Sequence, residues 1–354
     1  MEKKIKHSSE IDFLRILGCI GVVSIHFSMA YGTRWILPVR VLVAGSVPLF
    51  MSISGYLLFY KKEYTYKEIL RDHFLRYLIL FEIWKALYIF SAWMISDDGT
   101  WKGIFRFAVE NADGWHLWYL RVYLAVLLCY PIIQSITKKR EACILFSVLW
   151  IIVFCLRYSL ATWQSLPPNI LRLFNLPFFQ YTSLISGTIK GFYPMEALGA
   201  FIAGGFLIDC FENNAVNQIW LKVTIIFFAL FSYFLTLYTG YKNHIETFAY
   251  LCDPYMINVM FIIVGVITIG YIIIGWIQMS KLCHLLDWLS DKTLGVYVLQ
   301  GFVNRWITKL LDYFEVKSPY VRKPVIYFGV LVGGVFLTAL IKKIIPRRFS
   351  KYIV

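Results

Sequence analysis

Apolar runs of about 20 residues recur along this chain, and each is long enough to cross a bilayer as a helix. They fall near residues 11–31, 41–60, 77–95, 116–135, 141–160, 193–209, 219–239, 255–277, 292–311 and 324–345. This pattern predicts an all-α integral membrane protein with about ten transmembrane helices. Composition agrees. Of the 354 residues, 59% are hydrophobic and 16% charged, whereas soluble domains lie nearer 45–50% apolar with about a quarter charged. Length alone would suggest two soluble domains. The composition instead favours a single membrane domain over residues 1–354, with no separate soluble domain.

Orientation follows from Lys and Arg, which gather in cytoplasmic loops. They concentrate in the segments 1–10, 61–76, 136–140 and 342–354, including the basic ends "MEKKIK" and "KKIIPRRFSKY". An even number of spans and these two ends place both termini in the cytoplasm. "SMA" at Ser28–Ala30 has the small-x-small form of a leader cleavage site. Arg15 on the edge of the apolar stretch, with nine runs to follow, favours a retained first helix. The formal charge of +14 could suggest nucleic acid, but the basic residues cluster between apolar runs, so the expected partner is membrane lipid. The seven cysteines are scattered without a CxxC pair, which points to neither a disulfide framework nor a metal site.

Ionisable residues inside hydrocarbon cost a few kcal/mol each and are rare without a task. The first run, "DFLRILGCIGVVSIHF" (Asp12–Phe27), keeps two, Arg15 and His26. Eleven residues at 100° come to about 20° past three full turns, so the two side chains share a helix face, about 16 Å apart along the axis. Gly18, Cys19 and Val22 lie between them, small enough to admit a partner helix or a long thin ligand. An arginine fork stays charged and can hold two phosphate oxygens, and a neutral imidazole can accept a proton. The plainer alternative is a histidine bonded to a neighbouring helix and an arginine reaching back to lipid headgroups.

Two further stretches carry ionisable groups. "KKEYTYKEILRDHFLRYLI" (61–79) places Lys61, Lys62, Lys67, Arg71, His73 and Arg76 at the cytoplasmic entrance of the third run. Ordinary anchoring at anionic lipid explains the lysines. It explains Arg76, next to "YLILF", less well. The fourth run opens with His116, Trp118, Tyr119 and Arg121. The tryptophans suit an interfacial belt. His116 and Tyr119, at i and i+3, share a face at the outer surface where they could line an acceptor pocket. Arg121, lying deeper, needs a partner, for which Glu82 and Glu196 are candidates; Glu82 and Lys85 could instead neutralise each other.

Taken together, these stretches resemble the acyltransferase type 3 family, multi-span proteins that move acyl groups, usually acetyl from acetyl-CoA, onto sugars and cell-surface glycans. "DFLRILGCIGVVSIHF" looks like the family's first helix and "VPLFMSISGYLL" (Val47–Leu58) like its second. "FLRYLI" and "HLWYL" are similar to the starts of the third and fourth, and "YLCDPYMINVM" and "LSDKTLGVYVLQGFV" resemble later helices. The resemblance covers most of the chain in the family's order. It implies a membrane-embedded O-acetyltransferase in a bacterial plasma membrane. His26 would be the catalytic base, Arg15 a partner in donor binding or in organising the site, and Arg76 one arginine of a basic pair. Two positions depart from the pattern: His73 stands where a second arginine is common, and Gln300 where a histidine often follows.

The resulting expectation is specific. Arg15, Lys61, Lys62, Arg71, His73 and Arg76 would hold acetyl-CoA; His26 and Arg15 would act in catalysis. His116, Trp118, Tyr119, Arg121 and Glu196 would meet a glycan or lipid-linked saccharide acceptor, with no metal involved. Intramembrane His, Glu and Arg also mark solute paths, so the competing readings are a secondary transporter or flippase, or a scaffold in an envelope complex.

Overall fold

The computed structural model describes residues 8–28, 37–95, 115–155, 197–242, 256–277, 280–350 and 352–354. The described residues are helical, with no strand among them. In chain order the helices are α1 (Ser9–Ser28), α2 (Leu37–Val43), α3 (Ser46–Gly55), α4 (Tyr66–Glu68), α5 (Leu75–Ile95), α6 (Trp118–Leu128), α7 (Tyr130–Thr137) and α8 (Arg140–Trp150). After these come α9 (Gly205–Glu212), α10 (Ile219–Lys242), α11 (Ile257–Trp276), α12 (Ser280–Ser290), α13 (Thr293–Tyr313), α14 (Pro319–Ile344) and α15 (Arg347–Ser350). Wider π-helical turns extend α3 over Tyr56–Tyr60, α4 over Ile69–Phe74 and α8 over Ile151–Cys155, and lead into α9 over Ala200–Gly204.

The described parts of the apolar runs are mostly helical, with turns at Ala44 and Gly45 and at Cys129 inside two of them. Among the described residues, four stretches are long and apolar enough to cross a membrane singly: Leu37–Tyr60, Ile219–Tyr241, Ile257–Trp276 and Pro319–Ile344. The fourth run is not one straight helix. It breaks between α6 and α7, which meet at 73°. Pro131 follows directly; it lacks an N–H, and its ring crowds the carbonyl four residues back, so the helix cannot continue unbent.

The chain divides into two compact units. The first comprises the described residues of 1–63 and 131–287. Its core joins Ile11 and Leu14 of α1, Leu49 and Ile53 of α3, Ile208 and Phe211 of α9, and Val259, Ile263 and Ile267 of α11. Glycine lets two backbones touch here. A Cβ on Gly55 would collide with the Phe201 carbonyl oxygen, and one on Gly204 with the Ser52 side chain, so α3 and the turn before α9 approach as only small residues allow. At the end of α9, the Glu212 carboxylate accepts hydrogen bonds from the Ser8 hydroxyl (2.7 Å) and the Tyr271 hydroxyl (2.7 Å). One carboxylate therefore ties α9 to the start of α1 and to α11.

The second unit comprises the described residues of 64–130 and 288–354. Its main contact is α13 on α14, with Gly295 against Thr338 and Gly334 against Val296. α5 lies along α13 through Tyr88, whose hydroxyl donates to the Val298 carbonyl at 2.7 Å. Thr65 and Glu68 close a reciprocal capping box at the start of α4, which satisfies two of the unpaired donors of that helix end. In the turn between α12 and α13, Asp291 accepts from Lys292 (2.6 Å) and Lys342 (2.8 Å), and Lys292 also lies over the Trp288 ring.

Candidate functional site

The first unit carries Arg15 and His26 on one helix. α1 is capped by Ser8, whose hydroxyl accepts from the Ile11 N–H at 3.4 Å, and Glu10 and Asp12 stand in its first turn, where the helix dipole favours negative charge. Arg15 is half-buried and makes no hydrogen bond or ion pair among the described residues. His26 is half-buried, with its Nδ1 shut off from solvent. The small residues between them seat a neighbouring helix. A Cβ at Gly18 would meet the Phe50 ring at 3.1 Å, and Gly21 lies against Ser46. Of the two uses that the sequence leaves open for this stripe, partner helix or ligand groove, Gly18 serves the first. Cys19 and Val22 are buried.

Lys61 and Lys62 follow α3 in the same unit; Lys61 is half-buried and Lys62 exposed. The other basic residues of that loop belong to the second unit. There Arg71 is exposed and already forms a fork-to-fork pair with Asp72, Nε–Oδ1 and Nη2–Oδ2 both at 2.8 Å. Hydrogen bonding to Asp72 raises its pKa further above the ordinary value. The His73 ring meets Tyr64 edge-on at 5.0 Å, and the Arg76 guanidinium lies 5.4 Å over the Tyr77 ring. Arg71 thus already has a carboxylate on its fork.

The aromatic cluster at the start of α6 departs from the sequence expectation in one respect. His116 is not at a surface: it is 3% exposed, edge-on to Tyr88 at 4.9 Å. Its main-chain carbonyl accepts a hydrogen bond from the Tyr297 hydroxyl. Tyr119 meets the same tyrosine at 5.9 Å and stacks on Tyr123 at 6.1 Å. The i, i+3 pairing of His116 and Tyr119 therefore holds, and both converge on Tyr297. Trp118 is half-buried. Arg121 is exposed and forms no ion pair with Glu82 among the described residues. Lys85 lies over the Phe81 ring at 5.9 Å rather than on Glu82. Glu196 lies outside the described residues.

Sequence reasoning missed Tyr88 and Tyr297, which hold His116. Their only sequence signal was position within apolar runs, which hydroxyl-bearing aromatics share with ordinary core residues. No group of three or more His, Cys, Asp or Glu suited to a metal occurs among the described residues.

A family model described as an acyltransferase domain, that of acyltransferase type 3, matches residues 8–343. No curated protein and no solved structure matches the chain. The match takes in α1 with Arg15 and His26, the basic loop, the His116 cluster and the helices through Lys343, essentially the whole chain. The chain belongs to the acyltransferase type 3 family of membrane acyltransferases.

Proposed function

We propose that this membrane acyltransferase moves an acetyl group from cytoplasmic acetyl-CoA to a hydroxyl of a cell-surface or lipid-linked glycan, in a bacterial plasma membrane that the chain crosses ten times with both termini inside. One observation carries the reading: Arg15 and His26 project from a single face of α1, about 16 Å apart, and no carboxylate among the described residues sits on the Arg15 fork. A guanidinium in that state is suited to a phosphate, which it can hold with two parallel charge-assisted hydrogen bonds. Lys61, Lys62, His73 and Arg76 add positive or proton-donating groups for the polyanionic donor. Arg71, held by Asp72, contributes field rather than a direct contact.

In this reading His26 accepts the proton of the acceptor hydroxyl as its oxygen attacks the thioester carbon. The C–S bond breaks, and the CoA sulfur leaves with the proton returned from the imidazole. The new bond is an ester on the glycan. The cluster of His116, Trp118 and Tyr119, with Arg121 and Glu196, is assigned to the acceptor.

The test uses membranes holding the full chain, acetyl-CoA labelled in the acetyl group, and the surface-glycan fraction of the same cells. Label in glycan with the wild type and none with His26→Ala supports the proposal. Full transfer by His26→Ala overturns the histidine's role. Uptake of a solute into vesicles without any acyl-CoA, with no label in glycan, overturns the donor and acceptor and favours transport.

A further inference from the structure

Helix α13 presents three faces within the second unit. One packs on α14, through Gly295 against Thr338, Val296 against Gly334 and Val303 against Gly333. A second meets α5. Tyr88 donates to the Val298 carbonyl and accepts from the Phe302 N–H at 3.0 Å, and Arg305 donates to the Ser91 hydroxyl at 2.9 Å. The third carries Tyr297, Gln300, Asn304 and Thr308, three or four residues apart and hence in one row.

Gln300 is the exceptional member of that row. It is 2% exposed, yet neither its carboxamide oxygen nor its nitrogen has a hydrogen-bond partner among the described residues. Buried polar groups in folded proteins are nearly always paired, and each exception calls for an explanation. A side chain that packing alone required here would be better served by leucine or methionine. A bound group that both donates and accepts would complete the bonding of these polar atoms.

The chemistry of the carboxamide narrows that ligand. It is uncharged and sets an acceptor beside two donors. A phosphate offers only acceptors and would leave the oxygen unmet, besides bringing a charge into a dry site at high cost. The complement is a neutral group that both gives and takes a hydrogen bond. One amide would satisfy Gln300 alone. The row continues, however: Asn304 lies about 6 Å further along the axis, and Thr308 donates to its Oδ1 at 3.3 Å. A ladder of neutral polar groups suits a ligand with hydroxyls in succession.

We infer that the Tyr297–Gln300–Asn304–Thr308 face of α13 binds the saccharide acceptor, with Gln300 as a specificity-determining residue that reads one of its hydroxyls. The inference rests on the glycan-acceptor reading above and assigns it a residue which that reading does not use.

The experiment takes the full-length protein in detergent, as wild type, Gln300→Leu and, should that variant fold poorly, Gln300→Met. Thermal unfolding is followed with and without maltotriose, cellotriose and N,N′-diacetylchitobiose as probes. With no sugar, the apolar variants should melt at or above the wild type, because the unmet polar atoms are gone. At least one oligosaccharide should raise the wild-type midpoint, and the variants should lose that shift. In acetyl transfer, the variants' KM for the acceptor should rise about tenfold or more, as for a site built to bond a hydroxyl, with the KM for acetyl-CoA unchanged. A wild type that no sugar stabilises, variants that melt lower yet keep the sugar shift, or a change in the acetyl-CoA KM alone would each overturn the inference. The two proposals fail separately. Sugar stabilisation that depends on Gln300, in a protein transferring no acetyl, overturns the transfer reading only; acetyl transfer indifferent to Gln300 overturns this one only.

Discussion

The Tyr297 hydroxyl donates to the main-chain carbonyl of His116, joining α13 to the turn that opens α6. Both partners are buried, so Tyr297→Phe leaves a carbonyl without its donor in a dry setting, which costs about 1–3 kcal/mol. The expected result is a lower unfolding midpoint in detergent, with reduced acetyl transfer because the turn that carries His116 loses its tie to α13. A variant as stable and as active as the wild type would show that this bond holds nothing in place.

Arg15 makes no bond to the described residues, so replacing it should leave stability almost untouched. Arg15→Lys keeps the charge but loses the planar fork. The KM for acetyl-CoA should rise several-fold while the unfolding midpoint stays within error. An unchanged KM would remove Arg15 from donor binding and leave it as a headgroup anchor.

His26→Gln should lower acetyl transfer by about 10²–10⁴-fold, the usual contribution of a general base, while the unfolding midpoint and membrane insertion stay close to wild type. The ratio of initial rates at saturating acetyl-CoA measures it.

Asp291 gives a pH dependence. Desolvation raises its pKa, but hydrogen bonds from Lys292 and Lys342 outweigh this and hold the carboxyl below its ordinary value. A carboxylate with a depressed folded-state pKa stabilises the fold fully above its unfolded pKa, and loses that effect as pH falls through the folded value. The gap in unfolding midpoint between wild type and Asp291→Asn should therefore be full at neutral pH. It should close only below the ordinary aspartate range. A gap that persists unchanged into strong acid would show that the turn is held by something other than this charge.

Gly55→Val should destabilise the protein by about 1–3 kcal/mol or more, the usual penalty for overpacking, because the new Cβ would collide with a main-chain oxygen that cannot swing away. Unfolding midpoints of Gly55→Ala and Gly55→Val, expected to fall in that order, measure it.

The sequence makes the helices legible because hydrophobic length is a one-dimensional signal, and the Arg15–His26 pair legible because both lie on one helix whose periodicity is known. What lies between helices is harder to read. In a span that is apolar on every side, periodicity does not distinguish the lipid-facing from the protein-facing side. That is why the sequence does not show that Arg121 is exposed on the protein while His116 is buried within it. Gly18 was ambiguous for the same reason, since a small residue accommodates a Phe50 ring as readily as a ligand. The break in the fourth run had a local signal in Pro131, which the length of the apolar stretch masked.

Ser8 and Glu212 meet at the foot of α1, and this tie has a consequence further up the helix. A helix rises about 1.5 Å per residue with little give, so α1 acts as a ruler clamped at one end. Arg15 and His26 are two marks on it whose separation no neighbouring side chain sets. In the proposed reading, the covalent path from the phosphates of acetyl-CoA to its sulfur is likewise the same length whatever acyl group it carries. On that reading acyl chain length is not measured between Arg15 and His26, and a preference for acetyl over longer chains would come from the walls beyond His26.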